Sequence, residues 1–184
     1  MKMLADELIN FCNLTTAHSE SKLSLRQSCP RILKVANTAC LIPTQRALTA
    51  NFPSKGESLD NFQPFPSNCP VLQGFQDSVT IMPSLQRPKR LILLGSDGKN
   101  YPFLCKPKDD LRKDARLMEF HSLVCKFLQK DGETRKRQLK IRTYAVIPLN
   151  EECGLIEWVS NTVGLRNIVR NLWLYRGIKI DVIL

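Results

Sequence analysis

Three short stretches gather side chains that could act together on a charged ligand. In residues 105–114, CKPKDDLRKD, Lys106 follows the apolar run Phe103-Leu104-Cys105. A long cationic arm rooted in a buried strand is what gripping a phosphate requires. A lysine at a strand end also reaches water simply by extending its stem. One of Asp109, Asp110 and Asp114 could steer Lys106 through an ion pair. Asp110 and Asp114, four apart, share a helix face, but acids at a helix start are ordinary, with Arg112, Lys113 and Arg116 beside them. Residues 95–99, GSDGK, form the second stretch. Gly95 and Gly98 tolerate positive φ in a turn, and the loop does not match G-x-G-x-x-G. The third stretch, GLIEWV at 154–159, places a flat indole, Trp158, beside Glu157. A tryptophan in an apolar strand is ordinarily core, and a carboxylate there is costly unless it points outward. An indole next to free backbone groups would also suit a purine.

These residues need elements to position them. Helical spacing of apolar residues predicts a helix over 2–13. Residues 14–30 are polar and serine-rich, a loop. Residues 31–48 form a short apolar run interrupted by Pro43, and four prolines over 51–70 predict an extended connector. Alternation predicts strands over 78–82, 90–94 and 101–106, the last two joined by the glycine turn. The clearest helix is 109–130, with Leu111, Met118 and Cys125 on one side and Leu117, Phe120, Val124 and Phe127 widening it into a broad apolar face. Strands over 140–148 and 154–159 and a helix over 165–174 follow. The order predicts an α+β fold, an antiparallel sheet with one long helix packed on it.

Composition narrows the ligand classes. The 184 residues are 43% hydrophobic, enough for a globular core. Residues 1–86 carry seven Lys/Arg against six Asp/Glu, and residues 87–184 carry twenty against eleven. A basic second half attracts polyanions: nucleotide phosphate, nucleic acid or acidic protein. Nucleic acid ranks last, because the basic residues lack interleaved exposed aromatics. The seven cysteines include no C-x-x-C pair, and with only two histidines no zinc spacing exists. Free, reduced, mostly buried thiols are expected. No apolar run approaches the ~20 residues of a membrane span, so an intracellular chain without a membrane partner is expected.

Set in order, SLQRPKR (84–90), GSDGK (95–99), CKPKDDLRKD (105–114), RLMEF (116–120), RTYAVIPLN (142–150) and GLIEWV (154–159) resemble the small lobe of phosphatidylinositol 3-kinase-related protein kinases, in particular their DNA-damage checkpoint branch. The resemblance runs strongly from about 75 to 172. Residues 4–13 and 41–53 are similar to the segment preceding the kinase domain. It implies two regions: 1–74, a helical and extended preceding segment, and 75–184, an incomplete PI3/PI4-kinase-type catalytic domain.

The resemblance also implies roles. Gly95, Ser96 and Gly98 would cover the phosphates of ATP and Lys106 would contact them. Asp109 and Asp114 would line the inner pocket, one orienting Lys106, and Tyr144 would face it. Glu157 and Val159 would offer backbone groups to adenine, with Trp158 against the ring. The activity implied is transfer of the ATP γ-phosphate to protein serine or threonine, in the nucleus. Its partners would be ATP, a large lobe, protein substrates and a regulatory checkpoint subunit. No Asp-Arg-His and no Asp-Phe occur in the sequence. The catalytic base and the Mg2+ ligands are therefore expected outside it, and the chain is expected to be an inactive fragment. The alternative is a non-catalytic interaction module that keeps the small-lobe surface.

Overall fold

A computed structural model describes residues 2–34, 40–50, 53 and 62–177. Half of the expected 51–70 connector lies outside them. Helix α1 (Lys2–Asn13) is followed by a short strand β1 (Lys22–Ser24) and three short helices, α2 (Leu25–Ser28), α3 (Pro30–Lys34) and α4 (Gln45–Leu48). Then come β2 (Leu72–Phe75), β3 (Ser78–Ile81), β4 (Lys89–Gly95), β5 (Asn100–Pro107), α5 (Arg112–Lys130), α6 (Gly132–Lys136), β6 (Val146–Pro148), β7 (Cys153–Glu157) and α7 (Leu165–Tyr175). All seven strands join one antiparallel sheet in the order β1-β3-β4-β5-β7-β6, with β2 added against β4. This is the expected α+β architecture.

Strand parity divides the sheet into two faces. Lys89, Leu91, Leu93, Phe103, Cys105 and Leu155 are buried on the back face and meet Leu4, Leu8, Phe11 and Cys12 of α1, with Leu25, Ile32 and Ile42. Helices α1, α2 and α3, with Ile42, cover this back face, and β1, in the stretch expected to be loop, hydrogen-bonds within the sheet. Apolar burial of this kind contributes roughly 25 cal/mol per Å2. Lys89 is the exception on that face. It is only 2% exposed, and its ammonium donates to the Cys12 carbonyl at 2.8 Å, capping the end of α1 beside the Phe11 ring. Burial pulls the Lys89 amine below its ordinary range.

On the front face Ala115 and Met118 of α5, with Leu111 just before it, pack onto Val146, Ile156 and Tyr144. The contact is narrower than the sequence pattern suggested. Leu117, Phe120, Leu123 and Phe127 are 46–61% exposed, so α5 buries one edge and not the broad face. The helix proper begins at Arg112, because residues 109–110 belong to the turn leaving β5. Residues 140–145 are not strand, contrary to expectation. β7 ends at Glu157, and an alternating sequence beyond it has no neighbour to pair with. All seven cysteines are free, but three, Cys12, Cys105 and Cys153, are buried and four are half-buried. The hydrogen bond with Cys105 and burial hold the Cys12 thiol far above its ordinary range, and burial pushes Cys153 up to about 12.

Candidate functional site

Lys106 leaves β5 on the front face, in parity with Leu104, and lies opposite Gly154 of β7. That glycine is forced by close approach. A Cβ there would fall 2.5 Å from the Ile147 carbonyl oxygen and 2.8 Å from a Leu111 methyl. The Lys106 ammonium meets Asp109 Oδ2 at 2.5 Å, with side chains 33% and 38% exposed. Asp109 is placed by the turn after β5: Lys108 takes φ +52 and the Asp109 N–H donates to the Glu152 carbonyl at 2.8 Å.

Of the three aspartates, then, Asp109 pairs with Lys106. Asp110 turns outward, held by Arg112 Nε and Nη2, both at 2.8 Å, while Arg112 also reaches Glu151. The Arg112 guanidinium pushes the Asp110 carboxyl down to about 2. Asp114 sits half-buried in the first turn of α5 and makes no ion pair with Lys106.

A cleft of about 420 Å3 adjoins on the same face. It is lined by Leu104, Tyr144, Ile156, Glu157, Trp158 and Val159, with Arg142 and Thr162 at its rim. Tyr144, Glu157, Trp158 and Val159 are thus brought together in one cleft. The Glu157 N–H donates to Ala145 O (2.8 Å) and the Trp158 N–H to Pro102 O (3.0 Å). Beyond them the edge of β7 is open, and neither the Glu157 carbonyl nor the Val159 N–H has a hydrogen-bond partner among the described residues. Arg90 stacks on the Trp158 ring at 4.9 Å, fixing its plane.

The glycine turn does not join this site. In the β4–β5 hairpin, Leu94 pairs with Asn100 and Lys89 with Cys105, so Gly95, Ser96 and Gly98 stand at the opposite end of the strands from Lys106. Six strand residues separate them, roughly 20 Å. The turn has its own local chemistry. Gly98 takes φ +73, and Asp97 accepts from Tyr101 Oη (2.7 Å) and Lys99 N (3.2 Å). The loop at Lys106's own end is 82–88, which joins β3 to β4. Its turn is closed by Met82 N to Pro88 O (2.9 Å), and Arg87, at φ +47, donates to the carbonyls of Ala17, His18 and Glu20 and to Thr16 Oγ1. Register was the available signal for this loop: in a hairpin turning at 95–99, residue 106 must face residue 88 or 89.

The Glu157 side chain was also missed. Its Oε2 accepts the N–H of Ala145 (2.9 Å) and of Gln45 (2.8 Å), the first residue of α4. The second partner is 112 residues away in sequence, so no local pattern announces it. No group of three or more His, Cys, Asp or Glu side chains able to hold a metal converges among the described residues.

Comparison with known proteins gives the arrangement its context. A family described as phosphatidylinositol 3- and 4-kinase matches residues 100–180. Protein kinase rad3 of Schizosaccharomyces pombe is 46% identical over 179 residues, covering 97% of this chain and 8% of rad3. The serine/threonine-protein kinase ATR of Oryza sativa subsp. japonica is 40% identical over 178 residues, 95% of this chain and 7% of that protein. ATR of Drosophila melanogaster is 54% identical over 112 residues, 61% of this chain and 4% of its own length. Among solved structures, the open conformation of CtTel1 superposes with TM-score 0.75 at 27% identity, covering 95% of this chain and 6% of that one. The FAT and kinase domain of CtTel1 superposes with TM-score 0.70 at 28% identity, covering 90% and 12%. The chain spans less than a tenth of the length of the curated relatives named here.

Proposed function

The chain belongs to the phosphatidylinositol 3-kinase-related protein kinases, and from that premise we propose that it supplies the ATP-facing half of a checkpoint serine/threonine kinase. The observation that carries this reading is Lys106, held by Asp109 at 2.5 Å on the same sheet face as a cleft whose edge exposes one backbone acceptor and one donor. Adenine needs such a pair: its 6-amino group would donate to the Glu157 carbonyl and a ring nitrogen would accept from Val159. The ring would lie among Leu104, Ile156, Tyr144 and Trp158. Lys106 would then reach the phosphates, steered by Asp109, with Asp114 further along the inner wall. The loop 82–88, and not Gly95–Gly98, would cover them.

Phosphoryl transfer depends on positioning and on neutralising charge, the latter chiefly by Mg2+. Asp109 is engaged by Lys106 and Asp110 by Arg112, and no group of three or more acids able to hold a metal converges among the described residues. Metal binding and activation of the substrate hydroxyl therefore belong to a large lobe in a longer protein, which would also bring protein substrates, a regulatory checkpoint subunit and a nuclear address. The exposed apolar residues of α5 and α7, such as Phe120, Phe127 and Trp173, are surfaces for that remainder to cover.

The test is Lys106→Ala in the longer kinase that contains these residues, beside the 184-residue chain alone. Phosphate transfer should be lost in the first and absent from the second. Activity surviving Lys106→Ala, or transfer by the isolated chain that Lys106→Ala abolishes, would overturn the reading.

A further inference from the structure

The β6–β7 ladder pairs Val146 with Ile156, Ile147 with Leu155 and Pro148 with Gly154. Continued by one step, the register sets Ala145 opposite Glu157, and the bond from the Glu157 N–H to the Ala145 carbonyl (2.8 Å) shows that it does. Opposed residues of this kind normally exchange two bonds, each N–H donating to the other carbonyl. Here only one is made backbone to backbone. The Ala145 N–H goes instead to the Glu157 carboxylate at 2.9 Å. The same oxygen takes the Gln45 N–H at 2.8 Å, one of the first-turn donors of α4 that no helical carbonyl can satisfy. A charged oxygen is a stronger acceptor than an amide carbonyl, so the carboxylate wins the donor. The Glu157 carbonyl is left without a ladder partner at the lip of the cleft.

We infer that Glu157 is a positioning residue: its carboxylate diverts the Ala145 N–H and thereby keeps Glu157's own carbonyl open to the amino edge of a bound purine. The inference rests on the nucleotide reading above. It also gives the preceding segment a role in the site, because residue 45 holds the carboxylate in place from the other side. Remove the carboxylate and the ladder closes by one more bond, consuming the acceptor the purine needs. The pocket keeps its shape while losing one contact.

Two nucleotides separate this from general damage: ATP, and purine riboside triphosphate, which lacks the 6-amino donor. In the longer kinase, the wild type should show a KM about 3- to 10-fold lower for ATP, the value of one neutral hydrogen bond. In Glu157→Ala the KM for ATP should rise to that of the analogue, with kcat little changed, so that the preference collapses. Glu157→Gln should fall between wild type and Glu157→Ala, since its amide oxygen can accept both N–H groups but no longer outcompetes the backbone carbonyl. Adding Ala145→Pro to Glu157→Ala removes the competing donor and should restore it. Should alanine not fold, Glu157→Met makes the same comparison.

A preference that persists in Glu157→Ala or Glu157→Met, or an equal loss for both nucleotides, overturns the inference. If Lys106→Ala still abolishes transfer in that case, the nucleotide reading stands and only the role of Glu157 falls. A wild type that does not distinguish the two nucleotides sinks both this inference and the adenine contact it builds on.

Discussion

The two ends of the β4–β5 hairpin invite comparison because each carries residues that suggest phosphate chemistry. One end has Gly95 and Gly98, a lysine and an aspartate in five residues. The other has Lys106 beside a loop with no glycine at all. The glycines answer to backbone geometry: Gly98 needs φ +73, and Gly95 has the Tyr101 ring 2.6 Å from where its Cβ would stand. The glycine-free end has what a ligand needs, an anchored cation with a defined partner and an adjoining cleft. Residue type flagged both ends, and strand register separates them.

Substitutions at the two ends should break or sharpen that contrast. The largest effect belongs to Lys106→Ala, which on the proposed function should lower phosphotransfer by the longer kinase about 100-fold or more, the scale of losing one charge-stabilising donor, and leave thermal unfolding nearly unchanged. Gly95→Ala should do the reverse. A Cβ pressed on Tyr101 and Asp97 should cost about 1–3 kcal/mol in chemical denaturation, with the KM for ATP unmoved. Gly98→Ala meets no neighbour within 4 Å and pays only for its left-handed backbone, about 1 kcal/mol in the same assay. A rise in KM with either glycine variant would restore the turn to the site.

The smallest effect is a titration. Burial, with the hydrogen bond to Asp97, pushes the Tyr101 phenol up to about 12 from an ordinary 10. Its contribution to stability is therefore whole below pH 10 and is lost as the pH climbs from 10 through 12. Asp97, held below the usual carboxylate range by Tyr101 and Lys99, contributes above the ordinary carboxylate pKa near 4, and that contribution is lost as the pH falls below it. Phenolate absorbance followed against pH should show a tyrosine titrating late, and Asp97→Asn should bring it back toward 10.

Much of the second half was legible because its signals are local. Alternation located β4 and β5, helical spacing located α5, and the strand-to-helix junction held Lys106 and Asp109 within reach of each other. What escaped depends on distant residues. β1 forms because β3 is there to receive it, and β2 pairs with β4 across a bulge. The 140–144 stretch carries a strand pattern but lies outside any strand, and β6 begins only at Val146. Glu157 read as an awkward carboxylate in an apolar strand, and only the fold brings Gln45 and Ala145 to it. The breadth of the α5 apolar face was misjudged for the same reason, since periodicity reports which residues share a side and not how much of that side is covered.

The docking of α1 bears on the order of synthesis. Cys12 Sγ approaches the Gly154 carbonyl at 3.9 Å across 142 positions of sequence. At about 5–20 residues per second on the ribosome, β7 is made roughly 7–28 s after α1. During that interval Leu4, Leu8 and Phe11 can meet β4 and β5 but not Cys153 and Leu155 of β7, which complete the back face. The nascent chain must carry a partly covered apolar helix until then, and the back face of the sheet closes only once its last strand has arrived.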